Sequence, residues 1–415
     1  MNKDKRQGWF SAEFTTARDW VCPSISLMSA RPNHNVRQNM RLRIPFTAPL
    51  PSPARILPAS AATVEGAVAA LASFLDRHGP KTLLISGAGI SVASGLPDYR
   101  GVGGSYVRNN GAYRPVFLHE FCATHAARQR YWARSFLGWP AVARARPNAA
   151  HAAVAQLQRM GLLCGGAVTQ NVDSLHSKAA SNIARDGGAD SNGDGDRGGE
   201  VLELHGALRT VICLHCGERT PRAAMQQRLA ELNPAWHALL QRAQRGGPDA
   251  APTNPDGDVA MPGVDYVSFR YPPCAACAAR DLLADADGAF APPPPPLGAL
   301  TGVLKPNITF FGESVDERVR ARAGELAADA SAVLVVGSTL ATYSAWRLVR
   351  DAHRAGKGLA IVNLGGVRDE AAFFANPAAT AHRVRVDLDA APVLAGVVRA
   401  LGGSMPAPQS PADYS

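Results

Sequence analysis

Lysine is scarce in this sequence: six of the 43 basic residues are lysines, and arginine supplies the rest. Ala, Gly and Pro are abundant, so the imbalance reads as compositional drift and the formal charge of +9 carries little functional information. The arginines are spread along the chain rather than gathered in one run, which argues against a dedicated nucleic-acid surface. Long apolar runs are missing as well. Nothing approaches the ~18 consecutive apolar residues of a bilayer span, and no N-terminal run has the shape of a secretory signal. No membrane association is therefore expected, and the expected location is cytoplasmic, or the mitochondrial matrix in a eukaryote.

Cysteine is sparse too, with seven in 415 residues, at 22, 122, 164, 213, 216, 274 and 277. An odd count with two Cys-x-x-Cys pairs, in a chain without a secretory signal, points to metal rather than disulfides. Cys22, Cys122 and Cys164 have no partner at ligand spacing and read as ordinary small residues. Residues 1–50 carry eight Lys/Arg against three acids. That is close to a transit peptide, but Asp4, Glu13 and Asp19 spoil the pattern. A flexible extension over 1–56 and a flexible tail over 404–415 are expected.

What is present is a run of buried strands. Apolar, β-branched segments at 82–86, 162–169, 307–311, 332–337 and 359–363 alternate with helical spacing at 63–78, 149–160 and 316–329. This alternation predicts an α/β fold with a doubly wound parallel, Rossmann-like sheet. The Gly/Asp-rich stretch 183–200 and the five prolines within 291–296 predict exposed loops. Between about residues 209 and 283 the alternation lapses. Both cysteine pairs lie there, which marks a small inserted module with its own means of support.

Several strand ends carry residues suited to chemistry. The turn Gly87-Ala88-Gly89-Ile90-Ser91 follows a buried strand, and glycines there let the backbone approach a pyrophosphate. Val92 replaces the third glycine of the usual fingerprint and no acid is clearly placed to hold a ribose, so a plain dehydrogenase is disfavoured. The competing reading of Gly87 and Gly89 is as mere turn glycines. The loop Gly95-Leu96-Pro97-Asp98-Tyr99-Arg100-Gly101 sets a carboxylate, a ring and a guanidinium beside that turn, or is merely a Pro-Asp turn. Gln170, Asn171, Val172 and Asp173 end another strand, where they could bond sugar hydroxyls and a carboxamide, or cap a helix. In Glu203-Leu204-His205-Gly206 the histidine could accept a proton near neutrality, or be a packing residue. Gly337, Ser338 and Thr339, with Asn363, Leu364 and Gly365, suit the adenosine half of a dinucleotide.

Cys213, Cys216, Cys274 and Cys277 can surround one zinc tetrahedrally with no open position, which makes the expected metal structural. A redox role fits less well, because two pairs are present and neither opens a helix after a strand.

Taken in order, these motifs resemble the sirtuin family across residues 57 to 403. Lys305-Pro306-Asn307-Ile308-Thr309-Phe310-Phe311-Gly312-Glu313 completes the set. Tyr99, the segment Arg128–Arg134 and Gly138-Trp139-Pro140 resemble the class II branch, which includes mitochondrial lipoamidases and ADP-ribosyltransferases. The resemblance implies an NAD-dependent protein lysine deacylase that releases nicotinamide and O-acyl-ADP-ribose from acylated-lysine proteins or peptides. It implies His205 as base, with Asn171 and Asp173 in the catalytic group. It also implies NAD contacts from Gly87, Ala88, Gly89, Ile90 and Ser91, from Pro97, Asp98, Tyr99 and Arg100, and from Gln170 to Asp173. The remaining implied contacts are Gly337 to Thr339, Asn363 to Gly365, and a last one near Leu388, where alignment is poor. The segment 305–313 should offer backbone to a substrate peptide, and Tyr106 with Arg108 lie where an acidic acyl chain could be read, or simply in a surface loop. Two rivals stand: an ADP-ribosyltransferase or lipoamidase using the same NAD site, and a non-catalytic zinc-bearing binding module, against which the intact His205 argues.

Overall fold

The strand β1 (Thr82–Ser86) is buried at all of its positions, as a central strand covered on both faces must be. In the computed structural model it pairs in parallel with β2 (Ala167–Thr169) on one side and β7 (Ala332–Val336) on the other. The sheet is completed by β3 (Val201–Glu203), β8 (Gly358–Val362) and β9 (Arg383–Val386), in the order β3-β2-β1-β7-β8-β9. The structure describes residues 55–108, 113–163, 166–186, 200–246, 253–259, 261, 263–293, 297–375 and 382–406. The expected extension up to residue 54, residues 187–199, the prolines 294–296, the tail from 407, Cys22 and Cys164 lie outside the described residues.

Alternation along the strands sorts the core into two layers. Leu84, Leu334 and Val336 face the helices Val64–His78, Ala149–Arg159 and Ala390–Ala400, which bring Leu71, Leu157 and Leu394. Leu83, Ile85, Val333 and Val335 face the helices Glu317–Asp329 and Tyr343–Arg354, which bring Leu326 and Val349. Each fully buried side chain of this kind contributes about 1.5–3 kcal/mol. Local signals start and stop the helices: Thr63 caps the first by accepting from the Gly66 N–H, and Gly79 ends it at φ +56.

Strand order reverses beside β1, since β2 and β3 lie to one side and β7, β8 and β9 to the other. In open α/β sheets that reversal leaves a crevice outside the carboxyl ends of the strands. The turns after β1, β2, β3, β7 and β8 all open there.

A second, three-stranded sheet carries the cysteine module: β5 (Arg219–Pro221), β4 (Gly206–Cys213) and β6 (Leu304–Ile308), all antiparallel. The strand expected over 307–311 thus starts earlier and belongs to this small sheet, because β4 offers it a partner. The strand expected over 162–169 shrinks to β2, with Leu163 only bridging Lys81. The helix Leu175–Asp186 runs into the stretch expected to be loop from 183, and Ile183 is buried against Ala155 and Ala179.

Candidate active site

The turns after β1 and β7 interlock. Gly87 N–H donates to the Val336 carbonyl at 3.1 Å and Gly89 N–H to the Gly337 carbonyl at 2.9 Å. Gly337 takes φ +58, which favours glycine. A Cβ on Gly89 would lie 2.9 Å from the Gly337 oxygen, closer than packed atoms tolerate. The bare backbone faces a cavity of about 1040 Å³, large enough for a dinucleotide and a further chain. Gly89→Val should therefore weaken NAD binding roughly tenfold or more by forcing the two turns apart. Calorimetric titration of the folded variant checks this, and unchanged affinity would remove the turn from the cofactor site.

Gln170 ties the strand ends together. Its Nε2 donates to the Ser86 carbonyl at 3.0 Å and to Ser338 Oγ at 2.7 Å, while its Oε1 accepts from Thr342 Oγ1 at 2.9 Å. Asn171 Nδ2 donates to Ser91 Oγ at 3.1 Å, and Ser91 Oγ donates to Asp173 Oδ2 at 2.7 Å. The other Asp173 oxygen accepts from Leu175 N–H at 2.9 Å, so Asp173 both caps the following helix and lines the cavity. Burial raises the Asp173 carboxyl above its usual range. Beneath this group sit two buried histidines. His176 meets Ser86 Oγ at 2.8 Å and His151 meets Ser91 Oγ at 3.4 Å. Burial pushes His176 down to about 4 and lowers His151 as well, so both are neutral props for the site.

His205 follows β3, at the same end of the sheet. Its Nδ1 lies 3.0 Å from the Gln170 carbonyl oxygen and its Nε2 2.7 Å from Ser344 Oγ. A carbonyl only accepts, so Nδ1 carries the proton and Nε2 is the basic nitrogen. Burial lowers the pKa, opposed by the bond to Gln170, and the neutral imidazole is favoured. Gly206 at φ +76 then turns the chain into β4, and the Thr309 N–H donates to the His205 carbonyl at 2.8 Å.

The loop after the glycine turn closes one side. Asp98 Oδ1 accepts from the Gly101 N–H at 2.9 Å, and the Arg100 guanidinium lies 5.0 Å from the Tyr106 ring centre. Desolvation lowers Arg100 and raises Asp98 from their ordinary values. On the far side, the turn Asn363-Leu364-Gly365 is braced by the fully buried Arg385. Its guanidinium donates to the Asn363 carbonyl at 2.9 Å and pairs with Glu370 at 3.0 Å.

Two residues expected to touch the cofactor do not line the cavity. Ile90 is buried in the core with Leu84, because its side chain points away from the turn's open side. Leu388 packs against the same core cluster. Every other expected cofactor residue, from Gly87 to Gly365, lines the cavity together with His205. Arg108 lies outside it, turned to Ser105 and Asn254. Ser344, Thr342 and His151 were not legible as site residues, since single Ser, Thr and His residues carry no spacing signal.

The four module cysteines come together, with all sulfurs within 4.8 Å of one another. Cys213 and Cys277 are 3.8 Å apart and Cys216 and Cys274 3.7 Å. Zinc–sulfur bonds of about 2.3 Å in a tetrahedron put the sulfurs about 3.8 Å apart, so the set fits one closed zinc site and no disulfide. Burial pushes the Cys213 thiol up to about 11, and a divalent cation at the centre reverses that preference.

The profile of the Sir2 family matches residues 87–344. The chain is 40% identical over 312 residues to the NAD-dependent protein deacylase SIR4 of Batrachochytrium dendrobatidis, covering 74% of this chain and 88% of that one. It is 41% identical over 288 residues to NAD-dependent protein deacetylase 1 of Streptomyces coelicolor, covering 69% and 78%. A solved complex of Sir2 with a p53 peptide and NAD⁺ superposes with a TM-score of 0.51 at 24% identity, covering 80% of this chain and 97% of that one. That last likeness is one of fold.

Proposed function

The chain belongs to the Sir2 family, and from that premise we propose that it is an enzyme, an NAD-dependent protein lysine deacylase acting on acylated peptides or proteins. The observation that carries this reading is His205, in the same cavity as the glycine cradle with Nδ1 3.0 Å from the Gln170 carbonyl oxygen, a contact that leaves Nε2 as the basic nitrogen. Bound NAD would supply a ribose carbon for the acyl oxygen to join, with nicotinamide as the leaving group. The chain's own residues do the rest. Gly87, Gly89 and Gly337 keep side chains away from the pyrophosphate, while Asp98 to Arg100 shield the ring from water. Asn171 and Asp173, fixed through Ser91, orient the ribose and carboxamide. His205 takes the proton from a ribose hydroxyl at Nε2, and its Nδ1–H bond to Gln170 holds the ring in that tautomer.

Only the C-terminal end of residues 305–313 has backbone to offer a substrate peptide: Gly312 and the Glu313 carbonyl make no backbone hydrogen bond among the described residues and line the cavity. Within that segment β4 pairs with β6, His205 holds Thr309, and Phe311 bonds to Val116 and Leu118. Ser314 and Val315 line the cavity and make no backbone hydrogen bond among the described residues. With Gly312 and Glu313 they are the proposed peptide-pairing edge.

Membership of the class II branch is part of the same proposal. Its support is the segment Arg128–Arg134, which forms the seam to the inserted module: Arg128 Nε donates to Tyr271 OH at 2.9 Å and Arg134 pairs with Asp258 at 2.6 Å. A reducing compartment is the proposed place of action, since four thiolates are needed as ligands. No helix among the described residues is long and apolar enough to cross a membrane. Incubating the protein with NAD and following nicotinamide release, with and without an acetyl-lysine peptide, tests the activity. Release should require the peptide; release of equal rate without it would contradict the proposal.

A further inference from the structure

The cavity that holds His205 and Phe310 is also lined by Tyr99, Tyr106 and Tyr131, and Tyr113 packs behind this lining. Tyr99, Tyr106 and Tyr113 contact one another at ring-centre distances of 5.3 to 6.2 Å. Tyr131 packs separately against Phe310 at 5.2 Å. Residues 253–259, from between the two cysteine pairs, add Pro255 and Asp256 to the same lining.

That loop is pinned at several points. Tyr113 OH donates to Asp256 Oδ2 at 2.7 Å, and Ser105 Oγ donates to Asn254 Oδ1 at 2.7 Å. Arg134 pairs with Asp258 at 2.6 Å and donates from Nε to the Val259 carbonyl at 2.9 Å. The second oxygen of Asp256, Oδ1, is fully covered and meets no donor. A buried carboxylate oxygen in that state is costly. Its neighbour is the Asp258 carboxylate, already satisfied by Arg134 and by Asn254 Nδ2 at 2.6 Å. A proton held by Asp256 and donated to Asp258 completes the set.

We propose that Asp256 is a specificity-determining residue: bonded to Tyr113 and Asp258, it pins the inserted loop as the end wall of the acyl pocket and so limits acyl-chain length. The proposal rests on the deacylase reading and deepens it. Burial and the adjacent Asp258 push the Asp256 carboxyl up to about 7, against the opposing pull of Tyr113 and Arg134. Tyr99, Tyr106 and Tyr131 also face it from the cofactor loop and the helix His125–Arg144, all uncharged because burial raises each of them. Below neutrality Asp256 keeps its proton and the wall is shut. Above neutrality two carboxylates face each other and the wall loosens, so longer chains gain access.

The test is the affinity of otherwise identical decanoyl-lysine and acetyl-lysine peptides for the full chain, titrated without NAD on either side of neutrality. In the wild type the ratio should shift about tenfold toward decanoyl from the acid to the alkaline side, the worth of one lost hydrogen bond. Asp256→Asn accepts from Tyr113 and donates to Asp258 without titrating, so its ratio should stay at the acid value throughout. Tyr113→Phe should raise the ratio even on the acid side. A flat ratio in the wild type, or a pH response retained by Asp256→Asn, would overturn the proposal. Because a ratio is read and no turnover is needed, failure here is distinct from failure of the deacylase reading, which nicotinamide release reports.

Discussion

Replacing His205 by alanine should cut deacylation by about 10²-fold or more, the usual share of a positioned general base, while the cofactor site stays formed. The glycine cradle does not depend on this side chain: its bonds run between β1, β7 and β8. NAD affinity should therefore change little. The wild-type rate should also fall with acidity, because only the neutral imidazole accepts a proton. Burial lowers the His205 pKa, so the fall should come below the ordinary histidine value of about 6.5 rather than at it. A packing role for His205 predicts a different pattern, with melting temperature and NAD affinity dropping together. Turnover, melting temperature and NAD affinity measured on one His205→Ala preparation separate the two. Near-normal turnover in the folded variant would contradict the assignment.

Cys274→Ala should lose one equivalent of zinc and destabilise the module that carries it. Closed four-cysteine sites contribute on the order of 10 kcal/mol to folding small modules. Here the cysteines are also part of a hydrophobic cluster: Cys213, Cys274 and Cys277 are buried with Leu283, Phe290 and Val303. That packing retains some order without metal, so a drop in melting temperature of roughly ten degrees or more is expected rather than complete unfolding. The inserted loop belongs to the same module, so acyl-chain selection should suffer with it. Metal analysis and calorimetry of the variant check both effects. A full zinc equivalent with an unchanged melting temperature would contradict the four-cysteine site.

Much of this architecture was legible because parallel strands buried on both faces leave unbroken apolar runs. β1, β7 and β8 are of that kind, and the residues that follow them line the cavity. The cysteine set was legible because ligand spacing is a strict geometric demand. The Ile90 side chain faces the core for a local reason: inside a turn, adjacent residues face opposite ways, and the spacing of the glycines does not say which. Leu388 follows a strand end, like the residues that line the cavity, but β9 is the sheet's edge and Leu388 packs against core rather than crevice. The most instructive omission is Asp256. Pro255-Asp256-Gly257-Asp258 reads as an ordinary turn, and its place beside Tyr113 depends on a tertiary contact across 143 residues. Arg108 shows the converse, a cation near the right stretch of chain that the fold turns toward the inserted loop.

The most direct test of deacylation is the identity of the products formed from NAD and an acetyl-lysine peptide, followed by mass spectrometry. Free lysine peptide, nicotinamide and O-acetyl-ADP-ribose should appear in equal amounts, and His205→Ala should suppress the peptide and the acetylated sugar together. ADP-ribose found covalently on an acceptor protein, with the acetyl group still on lysine, would contradict the account and identify a transferase of the rival kind.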